Sequence, residues 1–190
     1  ATGKYVLCDC TGYRLDGTDT EPNMYVGIII NRSLADTTDS VTGLGDVHTL
    51  VNAIGEMRRV AREAGFIAIK VDDIAEVNAR FGFDAGDRVL AESAACLMEC
   101  SRGKGRLFRS TGPTFVALFD DFDPEETDAI ADEIERFLGS PVLIGSLEYQ
   151  PPIRVATLHL DGVDRQPVSI LNELKARLIE APQVPGTKLN

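Results

Sequence analysis

The run Phe66-Ile-Ala-Ile-Lys-Val71 constrains this chain more than any other stretch. It is short and nearly continuous in apolar character, as expected of a central strand buried in a sheet. The segments around it alternate. Upstream, Val47, Leu50, Val51, Ile54, Met57 and Val60 keep helical spacing, and Gly65 is placed to end that helix. Downstream, a short helix from Asp73 to about Arg80 leads into the turn Phe81-Gly-Phe-Asp-Ala-Gly86. A longer helix carrying Val89, Leu90, Ala94, Leu97 and Met98 follows.

Arg106–Arg109 and 114–119 flank Ser110-Thr-Gly-Pro113, a hairpin signal. Asp123-Pro-Glu-Glu126 combines an N-cap, a first-turn proline and a capping-box glutamate, opening a helix that ends near Gly139. Strands are expected around 142–147 and 153–160, and a last helix over about 168–180. The order β-α-α-β-β-α-β-β-α describes an α/β sandwich of the α+β kind, with helices covering a mixed, largely antiparallel sheet. Before it, residues 4–10 and 24–31 are rich in β-formers and are separated by the turn-rich stretch 11–23. They read as a β-hairpin extension, followed by a polar linker over 32–40.

The 190 residues fit one domain plus appended material, with 44% hydrophobic and 26% charged residues, as in ordinary globular chains. No apolar run reaches the ~18 residues that cross a bilayer; Met24–Ile30 is strand-sized. No signal-peptide pattern opens the chain, and we expect a cytoplasmic protein that continues upstream of Ala1. The net charge of −11 argues against nucleic acid and anionic lipid as partners. An acidic domain binds nucleotides only with local cations or a metal. The four cysteines, Cys8-x-Cys10 and Cys96-xxx-Cys100, lack zinc-knuckle spacing and read as reduced thiols. His48 and His159 are isolated, so neither is expected to hold a metal or to act in catalysis.

Three segments in fixed order then identify a resemblance. Asp39-Ser-Val-Thr-Gly-Leu44 is similar to D-x-L-T-G-L. Lys70-Val-Asp-Asp-Ile-Ala-Glu-Val-Asn-Ala-Arg-Phe-Gly-Phe-Asp-Ala-Gly-Asp-Arg-Val-Leu90 is similar to D-x-D-x-F-K-x-x-N-D-x-x-G-H-x-x-G-D-x-x-L. Arg109-Ser-Thr-Gly-Pro-Thr-Phe115 stands where R-Y-G-G-D-E-F belongs. These are the motifs of GGDEF domains, the diguanylate cyclase family. The resemblance covers roughly 39–181, leaving 1–38 as hairpin and linker and 182–190 as a C-terminal tail. It implies a nucleotide-cyclase-like fold. The spacing of Asn78, Gly82, Gly86, Asp87 and Leu90 carries most of its weight.

In active members, the resemblance implies, two domains each present one GTP, and Mg²⁺ or Mn²⁺ held by carboxylates helps form cyclic di-GMP. The positions of those carboxylates hold Lys70 and Pro113 here, and the next acidic position holds Thr114. Thr111 replaces the first signature glycine, leaving Gly112 and Phe115. Ala75 replaces a phosphate-binding lysine. The family's C-terminal A-L-Y-x-A-K has no clear counterpart, since Ile179-Glu-Ala181 runs into Pro182. The implied catalytic and metal residues are thus absent, and no cofactor is expected.

Asn78 and Asp87 match the guanine-reading amide and carboxylate, although both also suit structural roles at helix ends. The resemblance implies that Arg102 is what is left of the family's R-x-x-D product-inhibition site, its Asp being absent here, and Lys104, Arg106 and Arg109 are expected to make a cationic patch around it. The hairpin and Asp36-Thr-Thr-Asp39 resemble the end of a PAS sensory domain. The expected function is a non-catalytic signalling module that works through dimer and other protein contacts with an upstream sensor, or senses GTP or cyclic di-GMP. The alternative is an active cyclase that uses Asp72 or Asp73 to hold metal. By strand alternation, Asp72 points to the same side as Lys70.

Overall fold

The computed structural model describes residues 8–15, 24–31, 38–60, 63–120, 123–138, 141–161 and 165–187. Two compact units divide the chain, 1–36 and 37–190. In the first, β1 (Cys8–Leu15) pairs antiparallel with β2 (Met24–Asn31), from Cys8 opposite Asn31 to Leu15 opposite Met24. The first strand thus runs to residue 15, into the stretch expected to be turn, because Tyr13–Leu15 find backbone partners at Met24–Val26. Residues 4–7 of the expected strand and 32–37 of the expected linker lie outside the described residues.

The second unit is built on β3 (Glu63–Val71). Its five-stranded sheet has the order β4 (Arg106–Arg109), β5 (Thr114–Asp120), β3, β8 (Ile153–Asp161), β9 (Gln183–Val184), antiparallel at every step. Among the described residues, parallel pairing is confined to the isolated bridge Gly45–Phe108. The largely antiparallel sheet expected from the sequence is what forms, with every strand pairing antiparallel.

Alternation along β3 feeds two cores. Ile67, Ile69 and Val71 join Phe115 and Ala117 beneath α2 (Ile74–Phe81), α3 (Phe83–Ser101) and α4 (Pro124–Leu138). Phe66 and Ala68 join Val116 and Leu118 beneath α1 (Val47–Val60) and α5 (Pro167–Glu180). Both faces are closed, as the apolar run requires, and full burial of each large side chain contributes roughly 1.5–3 kcal/mol. Asp46 starts α1: its Oδ1 accepts the Thr49 N–H at 2.8 Å.

Four sequence readings need correction. Gly65 does not cap α1, which ends at Val60; it lies inside β3 because a Cβ there would sit 2.5 Å from Thr127 Oγ1 on α4. The turn expected over 81–86 contracts to Gly82, whose φ of 87° a glycine adopts without strain, and α3 begins at Phe83. The strand expected over 142–147 is a hairpin, β6 (Val142–Ile144) and β7 (Leu147–Tyr149), turned by Gly145 with φ 63°. Within the expected tail, Gln183 pairs with Arg154 and Val184 with Ile153, so the sheet continues there. No helix among the described residues is long and apolar enough to cross a membrane.

Thr127 is fully buried, so it cannot swing away from a side chain at position 65. Gly65→Ala should lower stability by about 1–3 kcal/mol in urea unfolding through overpacking. Adding Thr127→Ala, which removes the two closest atoms, should return part of that loss. A Gly65→Ala variant as stable as the parent would refute the close approach of α4.

Candidate functional site

The signature stretch forms the turn between β4 and β5. Thr114 N–H donates to Thr111 O at 3.1 Å, and Ser110 N–H donates to Thr114 O at 2.8 Å. Gly112 has φ 55° and Pro113 follows it. Because proline cannot take positive φ, this is the II′ arrangement, with glycine first and a negative-φ residue second. Arg109 fastens the turn from below: its Nε donates to Gly112 O at 2.9 Å and its Nη1 reaches both oxygens of Asp39, at 2.9 and 3.1 Å. Asp39 also accepts from the N–H and hydroxyl of Thr42. The first motif segment and the signature turn are thus one hydrogen-bonded assembly, although 70 residues separate Asp39 from Arg109.

Lys70 leaves β3 opposite Thr114 on β5 and Arg154 on β8. Its ammonium meets Asp72 Oδ1 at 2.6 Å. Asp72 Oδ2 accepts Arg154 Nε at 3.1 Å and Gln183 Nε2 at 2.7 Å. Asp72 is the one buried charged residue among the described residues, and each of its oxygens is engaged. Burial alone would raise its pKa, yet the hydrogen bonds from Lys70 and Gln183, the charge of Lys70 and the bond from Arg154 outweigh it and hold the carboxyl below 3.8. Asp39 follows the same pattern: burial raises its pKa, and bonds from Arg109 and Thr42 bring it below 3.8.

This donor set does not fit a divalent cation. The strand position offers an ammonium, Pro113 has no side-chain donor and its carbonyl already accepts the Val71 N–H at 3.0 Å, and Thr114 offers a neutral hydroxyl. Asp72 lies beside Lys70, as alternation along the strand predicts, but it serves as the acceptor for two cations. Asp73 is exposed, with φ 62°. Among the described residues, no group of three His, Cys, Asp or Glu is placed to hold a metal.

Asn78 and Asp87 belong to α2 and α3, the helices over the other face of the sheet. A Cβ at Gly86 would fall 1.9 Å from Asn78 Oδ1, so the amide of Asn78 lies directly on the glycine backbone. That oxygen is buried and accepts no hydrogen bond among the described residues. Asp87 is exposed, and Phe83, one turn before it on α3, is 79% exposed. The structure therefore separates the residues singled out in the sequence. Lys70, Thr111 and Thr114 cluster on the α1–α5 side, Asn78 and Asp87 stand on α2 and α3, and Phe115 is buried core.

The cationic patch expected at the Arg102 remnant is neutralised. Arg102 pairs with Glu133 at 2.6 Å, Lys104 with Glu126 at 3.6 Å, Arg106 with Asp120 at 3.0 Å and Arg109 with Asp39. Cys96 and Cys100 are free thiols whose pKa values burial raises, that of Cys96 to about 12, so neither is a thiolate at neutral pH. His159 Nε2 lies 3.1 Å from Asp128 Oδ1, away from the site on α4. Sequence reasoning missed Arg154, Gln183, Lys175 and Phe83. The first two reach the site only through strand register, Lys175 through the fold of α5, and Phe83 was assigned to a turn.

Asp72→Ala should lower stability by roughly 2–3 kcal/mol, because it strips an acceptor from two cations and an amide. Depressed folded-state pKa values mean that the stabilisation from Asp39 and Asp72 is whole above 3.8 and is lost as pH falls through the lower folded values. Thermal melts between about pH 2 and 6 should show a shallower acid limb for Asp72→Asn and Asp39→Asn than for the parent. Identical limbs would contradict the network.

Residues 36–149 match the family described as Diguanylate cyclase, GGDEF domain. Diguanylate cyclase DgcS of Shewanella oneidensis is 29% identical over 84 residues, 42% of this chain. The match spans only 28% of that relative's length. The fold is similar to the FimX GGDEF domain of Pseudomonas aeruginosa, with TM-score 0.72 and 18% identity over 77% of this chain and 94% of that one. It is also similar to the diguanylate cyclase SiaD of the same organism, solved in complex with its activator SiaC. That match has TM-score 0.71 and 20% identity over 77% of this chain and 58% of that one. The motif spacing, the helices and antiparallel sheet, and the family match agree: this chain belongs to the GGDEF family, the diguanylate cyclase domains of cyclic di-GMP signalling.

Proposed function

We propose that this domain is a signalling module that forms no cyclic di-GMP. It passes on the state of an upstream sensory domain through protein contacts, including a homodimer, and a guanine nucleotide tunes it. One observation carries this reading: both oxygens of Asp72 are spent on Lys70, Arg154 and Gln183. A metal ion between the phosphates of two GTP molecules needs free carboxylate oxygens, and a neighbouring ammonium repels it. Losing such a centre removes several kcal/mol of transition-state stabilisation. SiaD, solved in complex with its activator, is a precedent within the fold for control by a bound protein.

For the nucleotide, the support lies in α2 and α3. Phe83 and Asp87 are one turn apart on the same face of α3, an aromatic face beside a carboxylate. A guanine stacked on Phe83 would present its N–H edge to Asp87. The same stacking logic operates where proteins hold bases without metal. The triphosphate then needs a cation of the chain, and Arg88, exposed beside Asp87 on α3, is placed to supply it, so such binding would be independent of Mg²⁺.

Incubated with GTP and Mn²⁺, the protein should yield no cyclic di-GMP by chromatography; product above trace level would overturn the non-catalytic reading. Calorimetry with GTP should give a dissociation constant that changes by less than about twofold when Mg²⁺ is removed. Phe83→Ala should weaken it by roughly tenfold, within the ~1–3 kcal/mol of one stacked base, and Asp87→Ala by roughly as much through loss of the acceptor for the base N–H edge. No heat with GTP would remove the nucleotide and leave protein contacts alone.

A further inference from the structure

A groove of about 260 Å³ runs along α3, between that helix and the C-terminal end of α4. On α3 it is lined by Glu92, Ala95, Cys96 and Glu99, whose spacing i, i+3, i+4, i+7 makes one stripe of a helix. Facing them stand Phe137, in the last turn of α4, and Pro141. Phe137 is 45% exposed, and Glu92, Ala95, Glu99 and Pro141 are exposed as well, so the groove is open to solvent.

Its chemistry is an apolar centre with a carboxylate at each end. Glu92 and Glu99 are seven residues apart, two turns or ~10.5 Å along the helix axis. Nearby, Glu133 and Glu126 of α4 are answered by Arg102 and Lys104, but no cation among the described residues pairs with Glu92 or Glu99. No Lys, Arg or His lines the groove among those residues. The thiol between the two carboxylates stays neutral, because burial, then Cys100 and the charge of Glu99, raise the Cys96 pKa to about 12. Cys96 therefore acts as a small apolar contact. The volume falls below the ~300–1,000 Å³ of small-molecule pockets and suits side chains reaching in from a docked segment.

We propose that this groove docks a basic amphipathic helix of a partner protein. Arg or Lys side chains two turns apart on that helix meet Glu92 and Glu99, and apolar side chains between them cover Ala95, Cys96 and Phe137. Charge complementarity selects this occupant, since two unanswered carboxylates attract a basic segment and repel an acidic one. A net charge of −11 makes a second copy of this chain the poorer fit. Anchors at i, i+3, i+4 and i+7 are how a helix engages such a groove. A cation passing over Phe137 also gains from the face of its ring. This inference rests on the reading that the domain signals through protein contacts, and it names the chemistry of the partner.

Fluorescence anisotropy tests this on the full chain, with a labelled alanine–leucine helical peptide whose two arginines stand seven residues apart. That peptide should bind one per chain, and a version with glutamates in place of the arginines should not bind. Glu92→Gln with Glu99→Gln should weaken the arginine peptide by roughly tenfold, through loss of two partly covered ion pairs. Glu125→Gln with Glu180→Gln removes the same charge from exposed positions of α4 and α5 outside the groove, and should stay within about twofold. Phe137→Ala, read alongside circular dichroism, should weaken binding by roughly threefold, the size of an exposed ring–cation contact. Equal weakening by the two glutamine pairs would overturn the proposal, because attraction would then be to net charge alone. Self-association in sedimentation that Phe137→Ala abolishes would assign the groove to a second copy and overturn it too. Absence of peptide binding would remove this docking site and leave the non-catalytic reading standing, whereas formation of cyclic di-GMP would do the reverse.

Discussion

The site depends on how β3 is buried. A strand covered on both faces has only its ends to offer for chemistry, and period-2 alternation decides which helices each end residue joins. Ile67, Ile69 and Val71 belong to the face under α2, α3 and α4, and Phe66 and Ala68 to the face under α1 and α5. Lys70 therefore comes out beside α5, and Asp72 follows it on the same side, bonded to it. A one-residue slip against β5 or β8 would send both to the opposite core, so the apolar run that holds the sheet together also fixes the electrostatics of the site.

Those electrostatics run opposite to what a metal centre needs. A buried carboxylate must be paired, and Asp72 is paired within the chain by two cations and an amide. The last of these, Gln183, comes from β9, so the extra strand at the C-terminal end of the sheet also completes the pairing. Asp39 and Arg109 make a similar closed pair under the signature turn. Two such pairs engage both oxygens of each carboxylate within the chain. They also leave Lys175 as the cation that no carboxylate nearby answers among the described residues.

Much of this was legible in the sequence because the signals were local. The apolar run, the helical spacing and the hairpin at Ser110–Pro113 each depend on neighbours in the chain, and the family motifs depend on short spacings. What escaped reading depended on partners far away. Gly65 looks like a helix stop until Thr127, 62 residues on, is seen packed against it. Gly86 looks like a turn residue until Asn78 is seen lying on its backbone. Arg154 carries no mark of function in its own strand; only register places it across from Lys70. The cations around Arg102 looked free in sequence, and their carboxylate partners come from α4 and β5.

Asn78 and Gly86 explain each other through packing: the amide needs a neighbour without a side chain, and a helix interior otherwise favours alanine over glycine by about 1 kcal/mol. Their presence together follows from the fold and adds little to a nucleotide argument. Asp87 and Phe83 have no such account. An aromatic ring that is 79% exposed gives up the burial that would otherwise stabilise it, and no ion pair among the described residues involves Asp87. In the nucleotide reading proposed above, the weight therefore moves from Asn78 to the exposed Phe83–Asp87 face of α3, which lies outside the buried core.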